Sequence, residues 1–313
     1  MSGRVVVAMS GGVDSSVAAA LLVEKGYSVT GVMMRLWAET DNRCCTPEAV
    51  ADARRVAEQL DIPFHLVDYE TEFKTCVVDH FISEYSRGRT PNPCLNCNRH
   101  IRFGCLLDHA RDLGADYMAT GHYAQVDQAD GRYRLRMGLD PQKDQSYVLY
   151  MLGQVELKHL MFPVGAFAKT EIRAFARQWS LPVADKDESM EICFVEDDDY
   201  RRFLSERAPW AVQPGPILDT AGKEIGRHKG LPFYTVGQRR GLGIAATEAL
   251  YVIRLDVEAN VLIAGPAGEL GRQSLLAEQV SYVGGVPPQR PVRVRAKIRY
   301  RAVLADAVWS PLA

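Results

Sequence analysis

The sequence predicts an α/β fold, a doubly wound parallel sheet followed by small β domains. Residues 5–9 (VVVAM) are apolar without alternation, which is typical of a strand covered on both faces of a parallel sheet. A glycine-containing turn follows this run, and then a helix with an apolar stripe extends to Gly26. From about Pro214 the helical periods stop, and short stretches separated by turns indicate small β domains.

The turn after the first strand, residues 10–16 (SGGVDSS), indicates a phosphate site. Gly11 and Gly12 lack Cβ atoms, so their N–H groups can surround an anion at the partly positive start of the next helix. A bare Gly-Gly pair would more often be an ordinary capped turn. The string lacks the Gly-Lys-Ser/Thr ending of a P-loop and the three-glycine spacing of a dinucleotide fold. The second strand, 29–34, also ends in methionines where a dinucleotide site needs an acid.

Length and composition narrow the class of protein. The 313 residues suffice for two or three domains, and 24% charged with 47% hydrophobic residues is typical of a soluble globular protein. No apolar run approaches membrane-spanning length, so we expect no membrane span. The sequence leads directly into the first strand, so we expect no signal peptide and a cytoplasmic location. A net charge of −2 requires any nucleic-acid partner to bind local basic patches.

The odd number of cysteines, seven, favours a reducing compartment and catalytic, redox or metal-binding roles for the thiols. Two of them, Cys94 and Cys97, have C-x-x-C spacing on a proline-stiffened loop within residues 88–104. Because arginines but no acids lie between Tyr85 and Leu107, we expect positive surroundings that lower a thiol pKa and attract a polyanion. Zinc, redox and iron–sulfur uses stay open, although a closed zinc site lacks further ligands nearby.

Further elements follow in order. Thr46 and Pro47 predict a capped helix to about Leu60, and residues 63–69 predict the third strand. A helix over 73–85 would place Cys76 and His80 in the core. The later elements are a strand over 116–120, a hairpin turn at Asp130-Gly131, a helix from Lys143 to about Leu152 and an amphipathic helix over 169–181.

Three later features bear on function. His122 follows the strand over 116–120, at the edge where doubly wound sheets bind ligands, and is either a functional residue or a satisfied loop histidine. Cys193 lies in a short apolar patch and by itself indicates a buried thiol. Residues 292–301 (VRVRAKIRYR) predict a strand with five cations on one face, either a solvated face or an RNA contact.

The phosphate loop resembles that of the N-type ATP pyrophosphatases, whose fold is adenine nucleotide alpha hydrolase-like. Eight motifs occur along the chain in this order: SGGVDSS, Met34-x-x-Trp37, GRTPNPCLNCN, ATGHYA, KDQSYVL, ESMEICF, HKGLPFYTVGQRRGLGI and IRYR. With these motifs, the sequence resembles over nearly its whole length one family in that group, the bacterial tRNA-specific 2-thiouridylases.

The resemblance implies an enzyme that thiolates the wobble uridine of tRNA. ATP would adenylate the carbon-2 oxygen with release of pyrophosphate, and a cysteine persulfide would then deliver sulfur as AMP leaves. The implied partners are tRNA and a cysteine desulfurase or sulfur-carrier protein, and the implied cofactors are ATP and Mg²⁺. We expect a catalytic domain over 1–165, a continuous segment over 166–213 carrying Cys193, a β-rich domain over 214–275 and the start of a barrel over 276–313.

Site residues carry over by motif. Cys97 would be the nucleophile, and Cys193 would bear the persulfide and close a transient disulfide with Cys97. The ATP site would comprise Ala8, Met9, Ser10, Gly11, Gly12, Val13, Asp14, Ser15, Ser16, Met34 and Gly121, with Asp14 placing Mg²⁺. The target base would face Asn92, Pro93 and Cys94, and tRNA would contact His122, Lys143, Asp144, Gln145, Arg299 and Tyr300.

Two departures from the family pattern matter. Many members have Asp, a proposed general base, where this chain has Cys94; Cys94, Cys97 and Cys193 could instead ligate a four-iron four-sulfur cluster. The family's terminal barrel continues past IRYR, so we expect that about two or three strands are missing here, leaving exposed edges and weaker tRNA binding. Two other functions stay open: a related adenylating ligase or amidotransferase, and a non-catalytic ATP- and RNA-binding iron–sulfur protein.

Overall fold

The computed structural model describes residues 3–38, 46–187, 192–299 and 302–311. The first seven strands are β1 (Arg4–Met9), β2 (Ser28–Arg35), β3 (Phe64–Asp68), β4 (Tyr117–Thr120), β5 (Ala124–Ala129), β6 (Arg132–Met137) and β7 (Leu160–Met161). Five of them are parallel and form a central sheet in the order β3-β2-β1-β4-β7, which confirms the predicted α/β class.

Helices cover both faces of this sheet. Alternate residues of β1 enter different cores, with Val6 and Ala8 in one and Val5 and Val7 in the other. This explains why β1 is apolar at every position. The helices are α1 (Val13–Glu24), α2 (Pro47–Gln59), α3 (Glu70–Phe73), α4 (His80–Ser86), α5 (Pro93–Asn96), α6 (Leu106–Asp112), α7 (Gln154–Leu157), α8 (Lys169–Gln178) and α9 (Tyr200–Arg207).

The face formed by α1, α2 and α8 matches the sequence predictions closely. Thr46 Oγ1 accepts a hydrogen bond from Ala49 N at 3.0 Å, which confirms the predicted N-cap of α2. Ile172 and Ala176 of α8 are buried against the same core as α1, as the amphipathic pattern indicated.

The opposite face contains two π-helical segments. Lys74–Asp79 joins α3 to α4, and Cys97–Cys105 joins α5 to α6. Cys76 packs partly buried against the core, but the prediction that His80 is a core residue is wrong, because its side chain is exposed. A π-helical turn holds more residues than an α-helical turn, so residues four apart no longer return to one face.

The hairpin prediction is confirmed, whereas the helix predicted to begin at Lys143 is wrong. Strands β5 and β6 pair antiparallel around Asp130 and Gly131, whose φ angles are 51° and 73°. Only a 3₁₀ turn, Ser146–Val148, forms after Lys143. The Asp144 carboxylate accepts hydrogen bonds from Gly138 N at 3.0 Å and Ser146 N at 3.2 Å, and such side-chain bonds compete with helical ones.

A small β domain begins after α9. Its strands are β8 (Gly215–Leu218), β9 (Glu224–His228), β10 (Leu250–Asp256), β11 (Val261–Pro266), β12 (Val292–Ala296) and β13 (Ala305–Trp309). Four of them form a sheet in the order β10-β11-β8-β9, and β12 pairs antiparallel with β13. The predicted strand over 292–301 ends early, at Ala296, so only Arg293 and Arg295 lie on its cationic face; Tyr300 and Arg301 lie outside the described residues.

Within the described ranges, every helix is too short or too polar to cross a membrane.

Candidate active site

The loop between β1 and α1 is closed by its own serines. Ser10 N donates to Ser15 Oγ at 3.1 Å, and Ser16 Oγ donates to Gly12 O at 2.8 Å. Gly11 has φ +68°, and a Cβ atom there would lie 2.3 Å from Ala49 O at the start of α2. Only glycine fits this position. The loop therefore presents the N-terminus of α1 in a fixed shape suited to an anion.

The predicted ATP residues gather at one edge of the sheet. The loop residues follow β1, Met34 lies near the end of β2, and Gly121 follows β4, three strands that are neighbours in the sheet. A Cβ atom at Gly121 would lie 2.7 Å from Ser15 N, so Gly121 packs directly on the first turn of α1. This edge is where doubly wound sheets bind ligands.

The sequence analysis missed two residues that contact Asp14. Lys169 Nζ donates to both carboxylate oxygens of Asp14, at 2.7 and 2.8 Å, and Tyr123 OH donates to Asp14 Oδ1 at 2.7 Å. Lys169 is only 8% exposed and is the first residue of α8, where the helix dipole disfavours a cation. A buried lysine at that position requires an anionic partner, and Asp14 is one. A lysine opening an amphipathic helix was the available signal.

Asp14 also bears on the predicted Mg²⁺ site. Mg²⁺ in nucleotide sites is commonly held by one or two carboxylates together with substrate phosphates. Asp14 supplies one carboxylate beside the phosphate loop, so the residues fit such a site.

The two predicted catalytic cysteines pack on one core. Cys97, 8% exposed, is part of the core beneath the sheet, and Cys193 is partly buried against that core. Cys94 is exposed in the first turn of α5, where Asn92 Oδ1 accepts a hydrogen bond from its N–H at 3.1 Å. All three are thiols here, without a disulfide.

The predicted cluster ligands do not form a metal-binding group. Among the described residues, no three His, Cys, Asp or Glu side chains are grouped so that they could hold a metal ion. Cys94, Cys97 and Cys193 therefore do not fit a cluster in this arrangement.

The charge around the cysteine loop differs from the expectation. Glu84, just before the acid-free stretch, lies 3.7 Å from the Arg87 guanidinium and 3.6 Å from that of Arg89. Arg102 instead donates to Asn98 Oδ1 at 2.7 Å. Part of the positive charge that the sequence indicated is thus balanced from outside the motif.

His122 is buried rather than displayed at the surface. Its Nδ1 is hydrogen-bonded to Thr120 Oγ1 at 2.7 Å, and its ring lies against Phe103 and Phe162, with centroids 5.8 and 6.1 Å away. Burial, and secondly the charge of Arg102, hold the pKa of His122 well below its usual value. The imidazole is therefore neutral and fixes the backbone on either side of Gly121.

The remaining predicted tRNA residues lie in two places. Gln145 makes two hydrogen bonds to the backbone of Tyr123. Its N–H donates to Tyr123 O at 2.8 Å, and its Oε1 accepts from Tyr123 N at 3.0 Å. Asp144 is buried, and Lys143 beside it is half-buried. Arg299 lies apart, on the β domain, where it donates to Val236 O.

The burial of His122 predicts a pH effect on stability. The unfolded chain takes up a proton below about pH 6.5, whereas the folded protein resists it, so the free energy of unfolding should fall with decreasing pH, by at most about 1.4 kcal/mol per pH unit. Urea unfolding of the wild type and His122→Asn at about pH 7.5 and about pH 5.5 measures this effect. His100 and His228 also have lowered pKa values, but both are present in the wild type and in His122→Asn, so the comparison isolates His122. Equal pH dependence in both would contradict the assignment.

The fold and the site together define an ATP-binding α/β protein of the pyrophosphatase-loop class. The family model described as "tRNA methyl transferase HUP domain" matches residues 3–197. A second family model, described as "tRNA methyl transferase PRC-barrel domain", matches residues 201–266. A tRNA-specific 2-thiouridylase MnmA of Chloroflexus aurantiacus is 51% identical over 305 residues, covering 96% of this chain and 85% of that protein. Another, from Moorella thermoacetica, is 51% identical, covering 98% of this chain and 88% of its own. The chain belongs to the tRNA-specific 2-thiouridylase family.

Two solved structures match this chain at lower sequence identity. The U34-tRNA thiolase NcsA from Methanococcus maripaludis, solved with its [4Fe-4S] cluster, is 19% identical with a TM-score of 0.41, covering 66% of each chain. A 4-thiouridine synthetase, solved as an RNA complex with bound ATP, is 17% identical with a TM-score of 0.40, covering 66% of this chain and 50% of that one.

Proposed function

We propose that this chain replaces the carbon-2 oxygen of the wobble uridine in tRNA by sulfur, consuming ATP. The observation that carries the proposal is the packing of Cys97 and Cys193, distant in sequence, on one core beneath the sheet whose edge holds the phosphate loop. The curated relatives named as tRNA-specific 2-thiouridylases support this assignment.

Adenylation comes first in the proposed reaction. The phosphates of ATP bind residues 8–16, and the adenosine part lies against Met34 and Gly121. The uridine oxygen attacks the α-phosphorus, the bond to the β-phosphate breaks, and pyrophosphate leaves. Lys169 neutralises phosphate charge by exchanging part of its contact with Asp14 for a phosphate oxygen. Mg²⁺, held by Asp14, would add charge neutralisation when bound.

Sulfur transfer follows. The terminal sulfur of a persulfide on Cys193 attacks carbon 2, and AMP leaves with the original oxygen. The Cys97 thiolate then attacks Sγ of Cys193, which breaks the persulfide S–S bond, leaves sulfur on the base and joins the two cysteines in a disulfide. A thiol reductant restores both thiols with two electrons. A cysteine desulfurase or sulfur-carrier protein supplies the next persulfide sulfur. The route uses no iron–sulfur cluster, because Cys94, Cys97 and Cys193 are not grouped as ligands.

The residues assigned to tRNA recognition have two roles: some contact the tRNA, and others support the surface that the tRNA contacts. Asn92, Pro93 and Cys94 face the target base, which must leave the anticodon stack to reach them. Lys143, Arg299 and Tyr300 contact the tRNA directly. His122, Asp144 and Gln145 shape the surface beneath it, since two of these side chains are buried.

An anaerobic single-turnover assay tests the proposal. Metal-free and iron-reconstituted protein are compared on unmodified tRNA with ATP, Mg²⁺ and a persulfide donor, with 2-thiouridine read by mass spectrometry. We expect product from the metal-free protein. Product only after iron loading would replace the disulfide route by a cluster route. A methylated uridine, or no modified base with either protein, would contradict the proposed function.

A further inference from the structure

The loop that leads into the cysteine motif is bonded to the β domain. We call residues 87–92, between α4 and α5, the cysteine-entry loop. In its middle, Thr90 Oγ1 and Thr235 Oγ1 are hydrogen-bonded at 2.8 Å. Thr235 lies in the small β domain, shortly after the 3₁₀ helix Leu231–Phe233. The bond therefore joins two parts of the molecule that are distant in the chain.

A second contact fixes the start of the same loop. Gly88 has φ +70°, and a Cβ atom there would lie 2.7 Å from Val257 Cγ2, just after β10. The loop is thus pressed closely against the β domain at its start as well as in its middle.

Further hydrogen bonds hold Thr235 at one end of the Thr90–Thr235 bond, and a helix cap follows Thr90 closely in the chain at the other. On the β domain, Thr235 N donates to Gln238 Oε1 at 3.1 Å, Gln238 N donates to Thr235 O at 2.8 Å, and Val252 N of β10 donates to Gln238 O at 2.9 Å. On the catalytic side, Asn92 caps α5 through Cys94 N. Hydrogen bonds therefore run from the β domain sheet through Gln238 and Thr235 to Thr90, and the backbone continues from Thr90 through Pro91 to the Asn92 cap of α5.

We propose that Thr90 and Thr235 are a positioning pair, which uses the β domain to hold the cysteine-entry loop in register for sulfur transfer. Neither hydroxyl touches the reacting atoms. Loss of the bond would leave the cysteines present but the approach of the target base less well defined, and small displacements of reacting groups are costly. The inference rests on the proposed function of Cys97.

Valine substitutions test the pair, because valine keeps the shape of threonine and removes the hydroxyl. Thr90→Val and Thr235→Val should each lower the single-turnover rate of thiolation by about three- to tenfold, the range of one hydrogen bond, and leave the KM for ATP unchanged. The double variant should be no worse than either single one, since both remove the same bond. Thr90→Ser should recover the wild-type rate.

The test includes a matched control variant and a second measurement that does not depend on turnover. Thr75→Val removes a hydroxyl that donates only to Thr71 O within its own helix, and should leave the rate unchanged. Alkylation of the exposed Cys94 by iodoacetamide, followed by peptide mass spectrometry, reports the loop without any turnover. We expect both valine variants to change this alkylation rate and Thr75→Val to leave it at the wild-type value.

Wild-type rates of thiolation and alkylation in the valine variants would overturn the positioning role. Additive losses in the double variant would also overturn it, because independent sites add. If the wild type formed no 2-thiouridine, the proposed function would fail while the alkylation result would still report whether the pair holds the loop.

Discussion

Serine at position 97 or 193 is expected to lower formation of 2-thiouridine by at least about a thousandfold, because a hydroxyl cannot replace a thiolate as nucleophile or carry a persulfide. Both variants should still release pyrophosphate in a tRNA-dependent manner, since adenylation precedes the steps of both cysteines. The two products, 2-thiouridine and pyrophosphate, are measured in the same single-turnover reaction.

The chain supplies a control for this comparison within one helical segment. Cys105 ends the π-helical stretch that Cys97 begins, and burial raises the pKa of its thiol. Cys105→Ser should therefore keep the wild-type yield of 2-thiouridine. Full activity of Cys193→Ser would contradict the persulfide route and favour an adenylating ligase that needs no second thiol. Binding of tRNA without any pyrophosphate release by the wild type would favour a non-catalytic binding protein.

Replacing Lys169 by Met is expected to lower kcat/KM for ATP by about a hundredfold or more, because one preorganised charge on the phosphates is lost. Asp14→Asn should have a similar effect on activity, and in addition should lower the free energy of unfolding by about 2 kcal/mol, because it leaves the buried ammonium of Lys169 without its carboxylate. Pyrophosphate release and urea unfolding measure the two effects separately.

The double variant Asp14→Asn with Lys169→Met separates function from stability. Removing both charges should restore most of the lost free energy of unfolding while activity stays low. The pair between Lys186 and Asp52, 2.6 Å apart, is a matched control, because it is also a partly buried lysine–aspartate pair but neither residue belongs to the phosphate loop. The corresponding double variant there should keep wild-type kcat/KM for ATP. Recovery of activity in the Asp14–Lys169 double variant would contradict a role for these charges in catalysis.

The parts of the site that depend on neighbouring residues could be predicted from the sequence. The strand, loop and helix over 4–24 are determined by an unbroken apolar run, two glycines and a helical stripe, all within one short stretch. The partners of Asp14 could not be found in this way, because Lys169 is 155 residues away and its burial depends on how α8 packs on α1. Tyr123 is also far from Asp14 in the chain, 109 residues away.

The two wrong predictions have similar physical causes. Hydrophobic periodicity shows neither the side-chain hydrogen bonds that compete with helical backbone bonds nor a π-helical turn within a helix. Asp144 takes the N–H of Ser146, which a helix from Lys143 would have used. The π-helical segment before His80 shifts the buried face, so spacing alone placed that histidine in the core. In both cases the pattern was correct for regular structure and the local structure was irregular.

The contact between Asp14 and Lys169 also orders events during synthesis. The phosphate loop leaves the ribosome before α8, and the lysine that contacts it follows 155 residues later. At ordinary rates of translation that interval is roughly ten to thirty seconds. A nascent chain therefore carries the loop sequence throughout this interval, and Asp14 gains its ammonium partner only when α8 forms against α1.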